Sequence, residues 1–156
     1  MLGKTPESSW APRKILSPTA CRVEPNDGLL GREWILSAIA DVLVGVVALL
    51  HAWFLVLEMF LWTKPLGLKT FRNSLEHAKA SATLAANQGL YNGFLVAGLV
   101  WGLVASSPEF AFALKTFFLG CVIIAGLFGA FTVSKRILFV QAMPAVVALL
   151  LLWSSR

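Results

Sequence analysis

Charge is scarce in this chain. Thirteen Lys and Arg and eight Asp and Glu occur in 156 residues, so 13% is charged, where a soluble domain carries roughly a quarter. With 58% hydrophobic residues and a mean hydropathy of +0.77, the chain holds more apolar surface than one small aqueous core can bury. That balance excludes intrinsic disorder of the whole chain, which needs low hydrophobicity. Cysteine is nearly absent. Cys21 and Cys121 form no CxxC pair and no disulfide framework, which leaves thiol redox chemistry without support. Nor is there a Walker loop, a GxSxG, an HExxH or a cysteine-histidine metal spacing. The sequence therefore implies no cofactor and no metal, and an enzyme has no motif to rest on. The net charge of +5 and pI near 9.6 fit the basic loops of a membrane protein better than nucleic-acid binding, so no nucleic-acid partner is expected.

What the chain has in abundance is long apolar runs. A spanning helix needs about 20 predominantly apolar residues, and four segments meet or approach that, at about 34–62, 82–105, 110–131 and 137–153. The pattern predicts an all-α polytopic membrane protein, an antiparallel four-helix transmembrane bundle with the lipid bilayer as its partner. Residues 1–33, with Pro6, Pro12, Pro18 and Pro25 and no apolar run, read as a polar, disordered N-terminal tail without the apolar stretch of a secretory signal.

Between the first two spans, Thr63, Lys64, Pro65 and Gly67 form a turn signature. Asn73 with Glu76 three residues on has the spacing of a capping box. The second helix is therefore expected to begin near Ser74 and to enter the bilayer near Ala82. Ser106, Ser107, Pro108 and Glu109 supply an N-cap, a first-turn proline and an acid for the next helix start. Lys64, Lys69, Arg72, Lys79, Lys135 and Arg136 all fall at one end. By the positive-inside rule, loops one and three are cytoplasmic, both termini lie outside, and the membrane is the inner (plasma) membrane.

Of the 21 charged residues only Asp41, Glu58 and Lys115 fall within the spans. His51 and Glu58 are seven apart and share a helix face, whereas Asp41 points about 80–100° away, toward the outer end. Span two carries Asn87, Gln88, Tyr91 and Asn92. Amide groups in hydrocarbon need partners from other helices or from water. Ala85, Gly89, Gly93 and Ala97 form a small-residue stripe suited to close helix packing. In span three, Lys115 is placed where its stem snorkels to the outer interface. Span four has Gln141 one turn deep and Pro144, where a kink is expected. The candidate polar intramembrane site is thus His51, Glu58, Asn87, Gln88, Tyr91, Asn92 and Gln141.

The segments HAWFLVLEMFLWTKPLG (51–67), LAANQGLYNGFLVAGLVWGL (84–103) and TVSKRILFVQAMPAVVALL (132–150) resemble a family of small four-span bacterial integral membrane proteins known as domain of unknown function 1304. The resemblance implies the four-helix membrane architecture and places His51, Glu58, Asn87, Gln88, Tyr91, Asn92, Lys135, Arg136 and Gln141 in the family's patterned segments. It brings no biochemical activity.

Three readings of the polar cluster stay open. In the first, Glu58 exchanges a proton and the amides orient a small polar or amphipathic solute that is bound or transported, with a homo-oligomer enclosing the path. A second makes the protein a membrane enzyme or accessory factor acting on a lipid-soluble substrate, with His51 and Glu58 as acid and base. The third is purely structural, with the amides locking the helices together.

Overall fold

The computed structural model describes residues 27–156, which are helical with short connections. Helix α1 spans Asp27–Met59, α2 Pro65–Phe71, α3 Leu75–Val104, α4 Pro108–Thr132 and α5 Met143–Ser154, the last preceded by a π-helical turn at Leu138–Ala142. Expectations for residues 1–26, including Cys21, lie outside the described residues. Helix α1 begins before the apolar run at Trp34, and no proline lies between Asp27 and Met59 to interrupt it.

The connections follow from local chemistry. Past Met59 the chain loosens, with Leu61 N–H reaching back five residues to the Val56 carbonyl at 3.2 Å. Pro65 then starts a second, short helix where the sequence suggested only a turn, since its fixed φ is already helical and it needs no amide partner there. Arg72 closes α2 in the left-handed region, φ 56°, and its N–H bonds the Leu68 carbonyl. Gly67 permits α2 to lie against the end of α1, because a Cβ there would strike the Leu61 carbonyl oxygen.

The cap of α3 corrects the expected capping box. Ser74, not Asn73, is the N-cap, and its Oγ accepts from His77 N–H at 3.2 Å. Glu76 therefore sits one position too early in the first turn to reach back. Ser107 caps α4 as expected, accepting from Phe110 N–H at 3.4 Å, with Pro108 in the first turn. The expected disturbance at Pro144 takes the form of the π turn just before it. Proline supplies no N–H, and Met143 N–H bonds the Leu138 carbonyl, five residues back.

Helix α1 packs against α3 and α5, α3 against α4, and α4 against α5. Adjacent helices run antiparallel. Gly89 lies opposite Glu58 and Met59 and Gly93 opposite Leu55, while Gly98 meets Phe118 and Gly102 meets Lys115. The core between them is built mainly from small and β-branched side chains, among them Ala40, Val44, Val47, Ala145 and Ala148, with Leu99, Leu119 and Leu152. Two helical segments, residues 31–59 and 108–132, are long and apolar enough to cross a membrane.

Candidate functional site

Two polar layers interrupt the apolar interior, one toward each end. In the first, Lys115 Nζ donates to Asp41 Oδ1 at 2.6 Å, joining α4 to α1. Lys115 is buried and Asp41 half-exposed. The expectation that the Lys115 stem snorkels outward is thereby corrected. An ammonium in apolar surroundings is held by the nearest carboxylate, and the α1–α4 register brings that carboxylate within reach. Beyond this pair, the Arg156 guanidinium lies 4.0 Å over the Phe112 ring.

The second layer is built on Glu58. It sits in the last turn of α1, half-buried, and its Oε2 accepts from Asn92 Nδ2 of α3 at 2.7 Å. Its Oε1 receives no hydrogen bond among the described residues. Asn92 is buried in the α1–α3 seam, flanked by the close helix approach at Gly89 and Gly93.

Glu58 opens onto a cleft of about 430 Å³ at the end of the helices where loops one and three meet. Trp62 and Phe71, from the α1 end and from α2, form one wall, their rings 4.8 Å apart and tilted at 51°. An adjoining face of α3 contributes His77, Ser81, Leu84, Ala85 and Gln88, and Asn73 and Val133 complete the lining. Trp62 Nε1 donates to Ser81 Oγ at 3.2 Å, and Ser81 Oγ donates on to the His77 carbonyl at 2.7 Å. The indole N–H is thus engaged in fixing the wall.

The predicted site residues separate into distinct groups. Glu58 and Gln88 line the cleft, and Asn92, behind it, bonds Glu58. His51 shares Glu58's helix face but lies about two turns deeper, roughly 10 Å along the axis, and neither bonds Glu58 nor lines the cleft. Its Nδ1 donates to the Val47 carbonyl at 2.8 Å, which leaves Nε2 as a buried acceptor with no partner among the described residues. Asn87 and Tyr91 are exposed on the outer face of α3, Tyr91 beside Phe94, and Gln141 is half-buried in the π turn. Sequence reasoning missed the cleft walls, Trp62, Phe71, His77 and Ser81. A signal was present, because His77, Ser81, Gln88 and Asn92 fall within about 60° of one another on a helical wheel. Among the described residues no three of His, Cys, Asp and Glu gather as a metal site.

Comparison with known proteins places this geometry in a family. Residues 45–153 match the family described as "Protein of unknown function (DUF1304)". The chain belongs to DUF1304. The matched region contains Glu58, Asn92 and every residue lining the cleft. A DUF1304 chain that begins its match at residue 45 thus keeps the Glu58 layer whole, while Asp41, one half of the other layer, falls outside the match. The chain is similar to the uncharacterized protein YpaA of Lactococcus lactis subsp. lactis (strain IL1403), 28% identical over 117 residues, which cover 74% of this chain and 97% of that one. No solved structure matches.

Proposed function

We propose that this DUF1304 chain is a four-span protein of the inner membrane that binds a small polar or amphipathic solute in the cleft headed by Glu58. The observation that carries the reading is the state of that carboxyl group. Asn92 holds one of its oxygens at 2.7 Å, and Glu58 lines a cleft of about 430 Å³. That volume is within the usual range of small-molecule sites, roughly 300–1,000 Å³. A carboxyl group so placed can exchange a proton with an incoming solute, and the Gln88 amide offers hydrogen bonds that orient it.

The span reading is supported by the outer surface of the helices. Leu49, Phe94, Val104, Phe117, Ile124, Phe128, Phe131 and Leu150 are all exposed, a spread of large apolar groups that water disfavours and lipid accepts. The six basic residues of loops one and three support a cytoplasmic mouth for the cleft. Asn87 and Tyr91, polar and outward-facing, support a homodimer in which a second copy satisfies them. The separation of His51 from Glu58 weighs against their acting together as acid and base.

A second reading has its own observation. The Asn92–Glu58 bond joins α1 to α3, and it serves a purely structural lock equally well. The two readings part in one experiment. Purified protein in detergent is heated with a panel of cationic, anionic and neutral small solutes, and the same is done for E58Q. Solute binding predicts that at least one class raises the melting temperature of the wild type and not of E58Q. No shift across the panel leaves only the lock.

A further inference from the structure

The lining of the cleft specifies the charge of its occupant. Among the described residues Glu58 is the one acid on its surface, His77 is the other titratable group there, and no lysine or arginine lines it. The bases of loop one, Lys64, Lys69 and Arg72, belong to the same loop and contribute nothing to the walls. An anion entering would meet the Glu58 carboxylate with no lysine or arginine beside it, and a neutral donor that bonded the carboxylate would leave its charge unmatched.

The aromatic wall points the same way. Trp62 commits its N–H to Ser81, so it offers the cleft ring surface and not a donor, and Phe71 beside it offers only ring surface. Aromatic faces attract cations, tryptophan most strongly, and the attraction grows as water is excluded. Leu84 and Val133 supply apolar contact for a hydrocarbon portion.

We infer that the cleft takes an amphipathic organic ammonium cation, its charged nitrogen between the Glu58 carboxylate and the Trp62–Phe71 wall. The inference rests on the binding reading above and names its ligand class. Glu58 supplies the countercharge, the aromatic pair selects a weakly hydrated ammonium over a small, strongly hydrated metal ion, and Leu84 and Val133 hold the tail.

The test uses the full chain in lipid nanodiscs and equilibrium dialysis with three benzyl probes: benzyltrimethylammonium, benzyl alcohol and phenylmethanesulfonate. The expected result is saturable binding of the ammonium alone, above empty nanodiscs, weakened by about tenfold or more in E58Q, the scale on which a lost charge partner acts. Gln retains an oxygen to accept from Asn92, so E58Q should keep the wild-type melting temperature, which is checked on the same sample. W62L, which leaves the charge in place, should weaken ammonium binding several-fold, and E109Q, at the opposite end, should leave it unchanged. Ammonium binding equal in wild type and E58Q overturns the inference. Saturable binding of the alcohol or the sulfonate, lost in W62L and without binding of the ammonium, overturns the cation class while leaving the cleft as a solute site. Absence of saturable binding for all three overturns the inference, and the wider thermal panel then decides the reading beneath it.

Discussion

Asn92 on α3 donates to Glu58 on α1 at 2.7 Å, and this single side-chain bond fastens the last turn of α1 to the middle of α3. Asn92 is buried, and Glu58 is half-buried with one oxygen to spare. The bond therefore does two things at once. It satisfies the amide in an apolar seam, and it ties down one oxygen of a side chain that lines the cleft.

Removing the donor should cost more than altering the acceptor. Asn92→Leu leaves Glu58 without its partner and should destabilise the protein by about 1–3 kcal/mol, the penalty for an orphaned polar group. Glu58→Gln keeps an acceptor for Asn92 and should cost less. Melting temperatures of the two variants in the same detergent give the order. A smaller loss for Asn92→Leu than for Glu58→Gln would contradict it.

The Lys115–Asp41 pair makes a prediction about coupling. Lys115 is buried, and Lys115→Met leaves Asp41 unpaired, but the Asp41 side chain is 42% exposed, so solvent screens part of the loss. The expected cost is about 1–3 kcal/mol, below the range for a fully buried pair. Asp41→Asn in the Lys115→Met background should cost little more, so the double-mutant cycle should show coupling of about 1 kcal/mol or more. Additive losses would mean the pair is incidental.

Gly67 is the tightest constraint on the cleft wall. Gly67→Ala places a methyl group against the Leu61 carbonyl oxygen, backbone that cannot swing aside, so α2 must lift from the end of α1. A loss of about 1–3 kcal/mol is expected for such overpacking. Because α2 carries Phe71, the amides of residues 66–71 should exchange with solvent faster than in the wild type, while those of α4 stay unchanged.

Helix positions were largely legible, because apolar runs and caps are local. Ser107 and Pro108 mark the start of α4 in sequence and in structure alike. Depth and register were not. His51 and Glu58 share a face by spacing, yet one is core and the other opens to the cleft, a difference set by where α1 ends. Lys115 meets Asp41 across 74 residues, and no periodicity within either helix reports that contact. Helix α2 escaped notice because a proline and a glycine within three residues read as a turn, whereas proline in a first turn also begins helices. Of the cleft, Glu58 and Gln88, with Glu58's partner Asn92, were visible as costly groups in apolar runs. Trp62 and Phe71 were not, since aromatic residues near a span end have an ordinary place at the membrane interface.

The central claim, that a solute occupies the space in front of Glu58, is tested most directly by protection of that carboxyl group. Dicyclohexylcarbodiimide modifies carboxyl groups in apolar surroundings, and peptide mass spectrometry reads modification at Glu58, Asp41 and Glu109 separately. The account predicts that Glu58 is modified in the free protein and that the solute giving the largest thermal shift protects it, with Asp41 and Glu109 unaffected. A solute that stabilises the protein while Glu58 is modified to the same extent would contradict it.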